Sequence, residues 1–205
     1  MNGSVSPEAP SPVLLFAYNR PAHTLRCLQT LAAGALAGRT PVIAYVDGPR
    51  TPEGQATQAE VVAAIESQRS QFGSLVVHVR PDNVGLAANV IDGVTRTLQA
   101  HPSVIVLEDD LHCSPMLLDY FNTALRHFAG DARVGSIHAY CYPGMPAEPP
   151  FFFLPGGDCW GWATWRDRWA LFQPDGRQLL RELIRRRRLR AFTLGFCAPY
   201  LRMLC

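Results

Sequence analysis

The sequence predicts an α/β protein built on a doubly wound, mostly parallel sheet, and three observations carry that prediction. Short, continuous runs of aliphatic and aromatic residues recur along the chain and read as strands buried on both faces. Longer stretches with apolar residues at helical spacing separate them, the alternation that right-handed βαβ crossovers require. Each apolar run also ends in polar residues, which gathers polar chemistry at one edge of the sheet, outside the carboxyl ends of the strands, where ligands bind in such folds.

The first run, 13–18, stops at Asn19-Arg20-Pro21. Residues 23–36 then place Leu25, Leu28, Leu31 and Ala32 on one helical face, with Gly34 and Gly38 at the stop. Residues 41–46 repeat the strand pattern and end at Asp47-Gly48-Pro49, a turn sequence. A helix over 61–72 and a strand over 75–79 follow, then Arg80-Pro81-Asp82-Asn83-Val84-Gly85 and a helix over 86–99. A fourth strand, 104–107, runs directly into Glu108-Asp109-Asp110. Beyond it a helix over 115–128 is expected, with Ser114 as its cap and Pro115 at its first position. A short strand over 134–137 and a Pro-rich loop over 141–150 come next. Residues 151–169 are crowded with Phe, Trp and Gly, and the tail over 176–205 reads as a basic helix.

A chain of 205 residues is long enough for one compact domain with a small appendage. With 48% hydrophobic and 18% charged residues and a net charge of +2, wholesale disorder is excluded. No apolar run approaches the roughly 20 residues that span a bilayer. The first 12 residues are rich in Pro and Ser and lack the basic and apolar regions of a signal peptide, so a leader over 1–11 and a cytoplasmic residence are expected. The cysteines at 27, 113, 141, 159, 197 and 205 form no C-x-x-C pair, which predicts reduced, mostly buried thiols rather than a zinc site.

Several phosphate chemistries drop out by inspection. All 19 cationic side chains are arginine, and a chain without lysine cannot form a P-loop. No G-x-G-x-x-G follows a strand, which disfavours nicotinamide redox chemistry. The Gly-rich loop that a sugar-nucleotide pyrophosphorylase needs after its first strand is replaced here by Ala17-Tyr18-Asn19-Arg20.

The acidic triplet is the sharpest local signal. Three carboxylates directly after four buried aliphatics repel one another and suffer desolvation, so a positive group belongs there. A divalent cation is the economical choice, and oxygen-only ligation points to magnesium or manganese. Strand alternation aims Glu108 and Asp110 to one side and Asp109 to the other. His112 and Cys113 lie close by, but a single His-Cys pair without a second pair is not a zinc site. The plainer alternative is an acidic turn before the helix that begins near Ser114.

These residues together resemble glycosyltransferases of the GT-A type. The likeness is carried by Asn19-Arg20-Pro21 after the first strand, Asp47 after the second, Glu108-Asp109-Asp110-Leu111 followed by Ser114-Pro115 and Tyr120-Phe121, and Leu154-Pro155-Gly156-Gly157 with Trp160-Gly161-Trp162. It is nearest to the N-acetylglucosaminyltransferase I group and its bacterial relatives and covers roughly residues 12–170. The resemblance implies a Rossmann-like, nucleotide-diphospho-sugar transferase fold. It divides the chain into a donor-binding α/β half, 12–140, and an acceptor-side segment, 141–205. It implies a hexosyl- or N-acetylhexosaminyltransferase that uses Mn2+ or Mg2+, with a nucleotide-diphospho-sugar donor and a glycan or lipid-linked acceptor. Asp110 corresponds to the metal ligand, Glu108 and Asp109 face the ribose and the donor sugar, Arg20 meets phosphate or ribose, and Asp47 meets the base.

Other positions have two readings each. Asn83, Gly85 and Asn89 suit donor binding, since Gly admits close backbone approach and amides bond sugar hydroxyls; the alternative is an Asn-rich turn. Gly157, Trp160, Gly161 and Trp162 suit a sugar-stacking platform on the acceptor side, or simply core. Arg20 beside Pro21 can equally be a surface cation. Inverting members of the family carry a catalytic carboxylate downstream of the Trp-Gly-Trp segment, where this sequence offers Asp167 and Asp175 out of that setting, so no catalytic residue is assigned. That departure predicts a complete donor half with a shortened acceptor half, and it keeps a noncatalytic donor-binding remnant as the second reading. In the tail, Leu179, Leu180, Leu183, Ile184 and Leu189 trace an apolar stripe beside Arg181, Arg185, Arg186, Arg187, Arg188 and Arg190. It reads as a helix packed on the sheet or as a peripheral contact with an anionic membrane at its inner face; no nucleic-acid partner is expected.

Overall fold

The computed structural model describes residues 9–140, 144, 151–193, 195 and 201. The helices and strands of the first half are β1 (Val13–Ala17), α1 (Pro21–Ala32), β2 (Pro41–Val46), α2 (Gly54–Glu66), β3 (Ser74–Val79), α3 (Leu86–Ala100) and β4 (Ser103–Glu108). After them come α4 (Leu117–His127), β5 (Ile137–His138), β6 (Trp162–Trp165), α5 (Arg166–Trp169), α6 (Gly176–Arg185) and α7 (Leu189–Phe192). Six strands form one sheet in the order β3-β2-β1-β4-β6-β5. The first four in that row are parallel, and β6 runs antiparallel to both β4 and β5.

The continuous apolar character of β1 follows from its position between β2 and β4 with helices on both sides. Leu14 and Phe16 face a core shared with Tyr45, Val94, Leu98, Val104 and Val106, on the α3 side. Val13, Leu15 and Ala17 face the larger core that α1, α2 and α4 cover through Leu28, Leu31, Val61, Ile65, Leu118 and Phe121. On α3, Gly93 lets the helix settle closely on the sheet, since a Cβ there would lie 2.8 Å from Phe16 Cζ.

Boundaries differ from the sequence expectation where a helix face is polar or a strand is short. Helix α1 begins at Pro21, which occupies its first turn where a missing N–H costs nothing. Helix α2 begins at Gly54 rather than 61, because its first turns are polar and only Val61 and Ile65 are buried. Ser114 does not cap α4: its Oγ accepts from the Met116 amide at 3.3 Å in the turn before the helix, which starts at Leu117. The strand expected over 134–137 is Ile137–His138. From within the aromatic segment comes an unforeseen strand, β6, whose Ala163 and Trp165 are buried.

The chain divides into two compact units. Residues up to Tyr140 together with Cys159–Trp169 make the sheet unit, so part of the expected acceptor-side segment 141–205 packs with the strands. The described residues among 141–158 and 170–205 make the second unit, in which the basic tail forms two helices, α6 and α7, rather than one. Asp175 caps α6, accepting from the amides of Arg177 at 2.9 Å and Gln178 at 3.1 Å. Cys27 and Cys113 are buried free thiols and Cys159 is exposed; Cys141, Cys197, Cys205, most of the Pro-rich loop and most of the leader lie outside the described residues. Among the described residues no helix is long and apolar enough to cross a membrane.

Candidate functional site

The carboxyl ends of β1, β2 and β4 converge, and the polar residues of the sequence motifs converge with them. Parallel pairing sets Phe16 against Glu108, and the Asp109 amide donates to the Phe16 carbonyl at 3.0 Å. That register brings Arg20, at the entrance to α1, onto the acidic triplet 90 residues away. Its Nη2 lies 2.5 Å from Asp109 Oδ1 and its Nη1 lies 3.0 Å from Asp110 Oδ2. The Asp109 side chain is 2% exposed, while Arg20 and Asp110 are 43% and 39% exposed, so the guanidinium seals a buried carboxylate beneath an open one.

From the sequence, the triplet's positive partner is expected to be a divalent cation; for Asp109 the structure supplies the Arg20 guanidinium instead. Asp109, expected with Glu108 at the ribose and the donor sugar, is buried beneath Arg20 and accepts the Tyr18 amide at 3.3 Å on its other oxygen. Burial pushes the Asp109 carboxyl above its ordinary value, only partly offset by Arg20 and the Tyr18 amide. Glu108, half-buried, is also pushed up, first by burial and then by the charges of Asp110 and Asp109.

Asp47, expected at a base, is buried and its carboxylate is engaged by the turns after β2 and β3. Oδ1 accepts the Gly48 amide at 2.9 Å and the Val84 amide at 3.0 Å; Oδ2 accepts the Gly85 amide at 3.0 Å and Asn83 Nδ2 at 3.1 Å. Asn83 donates from the same amide to the Gly48 carbonyl at 2.9 Å. The two turns touch so closely that a Cβ on Gly48 would sit 2.1 Å from the Asp82 carbonyl carbon, which only glycine tolerates. Gly85, at φ +80, makes the left-handed step into α3. Asn89 is buried and accepts from Arg80 Nε at 2.7 Å, and Arg80 in turn reaches Asp92 at 2.5 Å. Asp47, Asn83, Gly85 and Asn89 thus act first as the frame of the cleft.

The cleft itself lies over these strand ends in two adjoining chambers. One, about 470 Å³, is lined by Tyr18, Asn19, Asp47, Arg50, Thr57 and Gln58, among others. The other, about 190 Å³, includes Arg20, Asn83, Gly85, Glu108 and Asp109. Tyr18, Asp47 and Arg50 line both. Arg50, exposed and held over the Tyr18 ring at 5.8 Å from its centroid, is the residue that sequence reasoning missed. Its signal was a cation two residues past a strand-terminating Asp-Gly turn. Because Arg50 lines both chambers, Arg50→Ala probes whether the nucleotide-sugar donor expected from the sequence is held there: the expected result is a fall of about tenfold in nucleoside-diphosphate affinity by calorimetry. Unaltered affinity would remove Arg50 from the site.

Of the aromatic segment, Gly161 and Trp160 are carried toward the same edge, because Trp162 pairs with Val106 in an antiparallel register and Cys159 hydrogen-bonds Glu108. Trp160 is 42% exposed and meets Tyr140 edge-on at 4.7 Å. Trp162, partly buried, packs against the α3-side core and stacks on Trp169 at 6.0 Å. Gly157 is exposed and belongs to the second unit. Neither downstream aspartate is poised as a base: Asp167 is ion-paired with Arg168 and Asp175 caps α6.

Among the described residues no group of three or more His, Cys, Asp or Glu side chains could hold a metal ion, so an all-protein cage is not present there. A magnesium- or manganese-type site needs only one or two carboxylates when a bound phosphate supplies further oxygens. The open carboxylate of Asp110 fits that role.

No family model matches the chain, and no curated protein matches it. Solved structures do. A mannosyltransferase from Pyrobaculum calidifontis, PcManGT, in complex with GDP-Man and Mn2+, aligns with 86% of this chain and 47% of its own at 16% identity and a TM-score of 0.55. The fold is GT-A. S. aureus TarS aligns with 58% of this chain and 20% of its own at 15% identity and a TM-score of 0.45. The chain therefore spans about half the length of the mannosyltransferase it matches.

Proposed function

We propose that this GT-A chain binds a nucleoside-diphosphate sugar in the cleft above β1, β2 and β4 and transfers the sugar to an acceptor hydroxyl. One observation carries the reading: Arg50 lines both chambers of a cleft at the carboxyl edge of the sheet, and Arg20, which lines one of them, holds the open carboxylate of Asp110 at 3.0 Å. A nucleoside diphosphate gathers negative charge as it leaves, and groups that neutralise it there lower the barrier. Asp110 would hold a divalent cation against the diphosphate; that cation supplies electrostatic stabilisation of the leaving group. Arg20 orients Asp110 from below, and Asn19 and Tyr18 offer polar and aromatic contacts to the rest of the donor. Glu108, half-buried and beside Cys159, suits contact with the donor sugar. Within the transferases, Asn19-Arg20-Pro21 and the Trp160-Gly161-Trp162 segment favour the N-acetylglucosaminyltransferase I group, with a glycan or lipid-linked acceptor.

GDP-mannose with Mn2+ is the first donor to try, because a fold neighbour was solved with it. Calorimetry is expected to give Mn2+-dependent binding of one nucleotide sugar. Asp110→Ala should abolish that dependence, a loss of at least about tenfold, without changing the circular dichroism spectrum. A variant with wild-type affinity rejects the assignment. The second reading, a noncatalytic donor-binding module, is favoured by the engagement of Asp167 and Asp175 elsewhere. Slow release of free sugar from the donor in the presence of Mn2+ separates the two, since a transferase leaks sugar to water and a binding module does not.

A further inference from the structure

We propose that the second unit docks on an anionic membrane surface through α6 and the arginines that follow it. Residues 176–190 hold seven arginines (Arg177, Arg181, Arg185, Arg186, Arg187, Arg188 and Arg190) against one acid, Glu182. That segment carries a net charge of +6 in a chain whose total is +2, so the remainder is net negative. Glu182 compensates only Arg185, at 3.1 Å, and Arg186, at 2.8 Å.

The apolar stripe on the same helix decides between partners. Leu179, Leu180, Leu183 and Ile184 recur at helical spacing, yet no residue of α6 is buried and Ile184 is 56% exposed. Leu179, Leu180 and Leu183 are half-buried, so the stripe that the sequence predicts is partly covered and opens at Ile184. Just before it, Leu171 and Phe172 are 82% and 44% exposed. An arginine-rich segment beside partly open aliphatic side chains is the arrangement that adsorbs in the plane of a lipid interface, with cations among anionic headgroups and aliphatics in the acyl boundary. A nucleic acid would satisfy the arginines and leave Leu171 and Ile184 in water, so lipid is the better complement. The proposal stands apart from the donor cleft and survives if the transferase reading fails.

The test is sedimentation of the full chain with phosphatidylcholine vesicles, with and without about one third phosphatidylserine, across a salt series. Binding is expected to the anionic vesicles only, weakening steeply as salt rises. Replacing Arg185, Arg186, Arg187 and Arg188 with glutamine should weaken it at least about a hundredfold. Ile184→Ser, which keeps every charge, should weaken it several-fold through lost apolar burial; this variant also serves if the quadruple one fails to fold. Equal sedimentation with neutral vesicles, or none with anionic ones, overturns the proposal. So does tighter binding to an oligonucleotide that Ile184→Ser leaves unaltered, which would assign the arginines to nucleic acid.

Discussion

Replacing Asp47 with alanine is expected to cost about 3 kcal/mol or more, the largest loss of stability that any polar substitution in the cleft should produce. The carboxylate accepts four hydrogen bonds, from the amides of Gly48, Val84 and Gly85 and from the Asn83 side chain. Alanine leaves those donors facing one another in a buried turn, and each unsatisfied group costs about 1–3 kcal/mol, less whatever water can restore from the cleft. For a chain of this size that is a fall of roughly 6–12 °C in melting temperature. Asp47→Asn keeps the volume but turns an NH2 group toward donors on one side, so an intermediate loss is expected. The pair of variants separates framework from ligand contact. A base-binding aspartate would cost donor affinity and leave the melting temperature alone; a clip between two turns costs stability first. A melting temperature unchanged in both variants would show that the turns hold without it.

The α/β architecture was legible because β1, β2 and β4 are covered on both faces, which forces successive residues such as Val13, Leu14 and Leu15 to be apolar without alternation. Strand β6 was not, since Trp-Ala-Thr-Trp is four residues long and its tryptophans read as an aromatic cluster before their pairing with β4 is known. At the site, sequence chemistry established that three adjacent carboxylates need a positive partner. Which partner it could not establish, because Arg20 meets Asp109 only through the β1–β4 register. The same limit hid the engagement of Asp47, whose partners at Asn83, Val84 and Gly85 arrive through the parallel pairing of β2 with β3. Polar residues at strand ends announce that a site is there; whether each one faces ligand or framework depends on hydrogen bonds across chain separations of 36 to 90 residues.

Arg20→Gln tests the most consequential of those long-range bonds. With the guanidinium removed, Asp109 is left as a carboxylate 2% exposed whose remaining strong donor is the Tyr18 amide. Stripping one partner from a buried ion pair costs about 3–5 kcal/mol when both are enclosed; Arg20 is 43% exposed, so solvent screening reduces the expected loss to about 1–3 kcal/mol. Arg20→Lys should recover only part of it, because a single ammonium cannot reach both carboxylates as the two guanidinium nitrogens do. The decisive measurement is a double-mutant cycle of Arg20→Gln with Asp109→Asn under urea denaturation. If the pair is the source of the loss, the double variant strands no buried charge at position 109, and the two substitutions together should cost less than their sum by about 1–3 kcal/mol. Strict additivity would mean that Arg20 stabilises the entrance to α1 through its backbone and packing alone. The Asp109–Arg20 contact would then be incidental, and the acidic triplet would again need another cation to explain its burial.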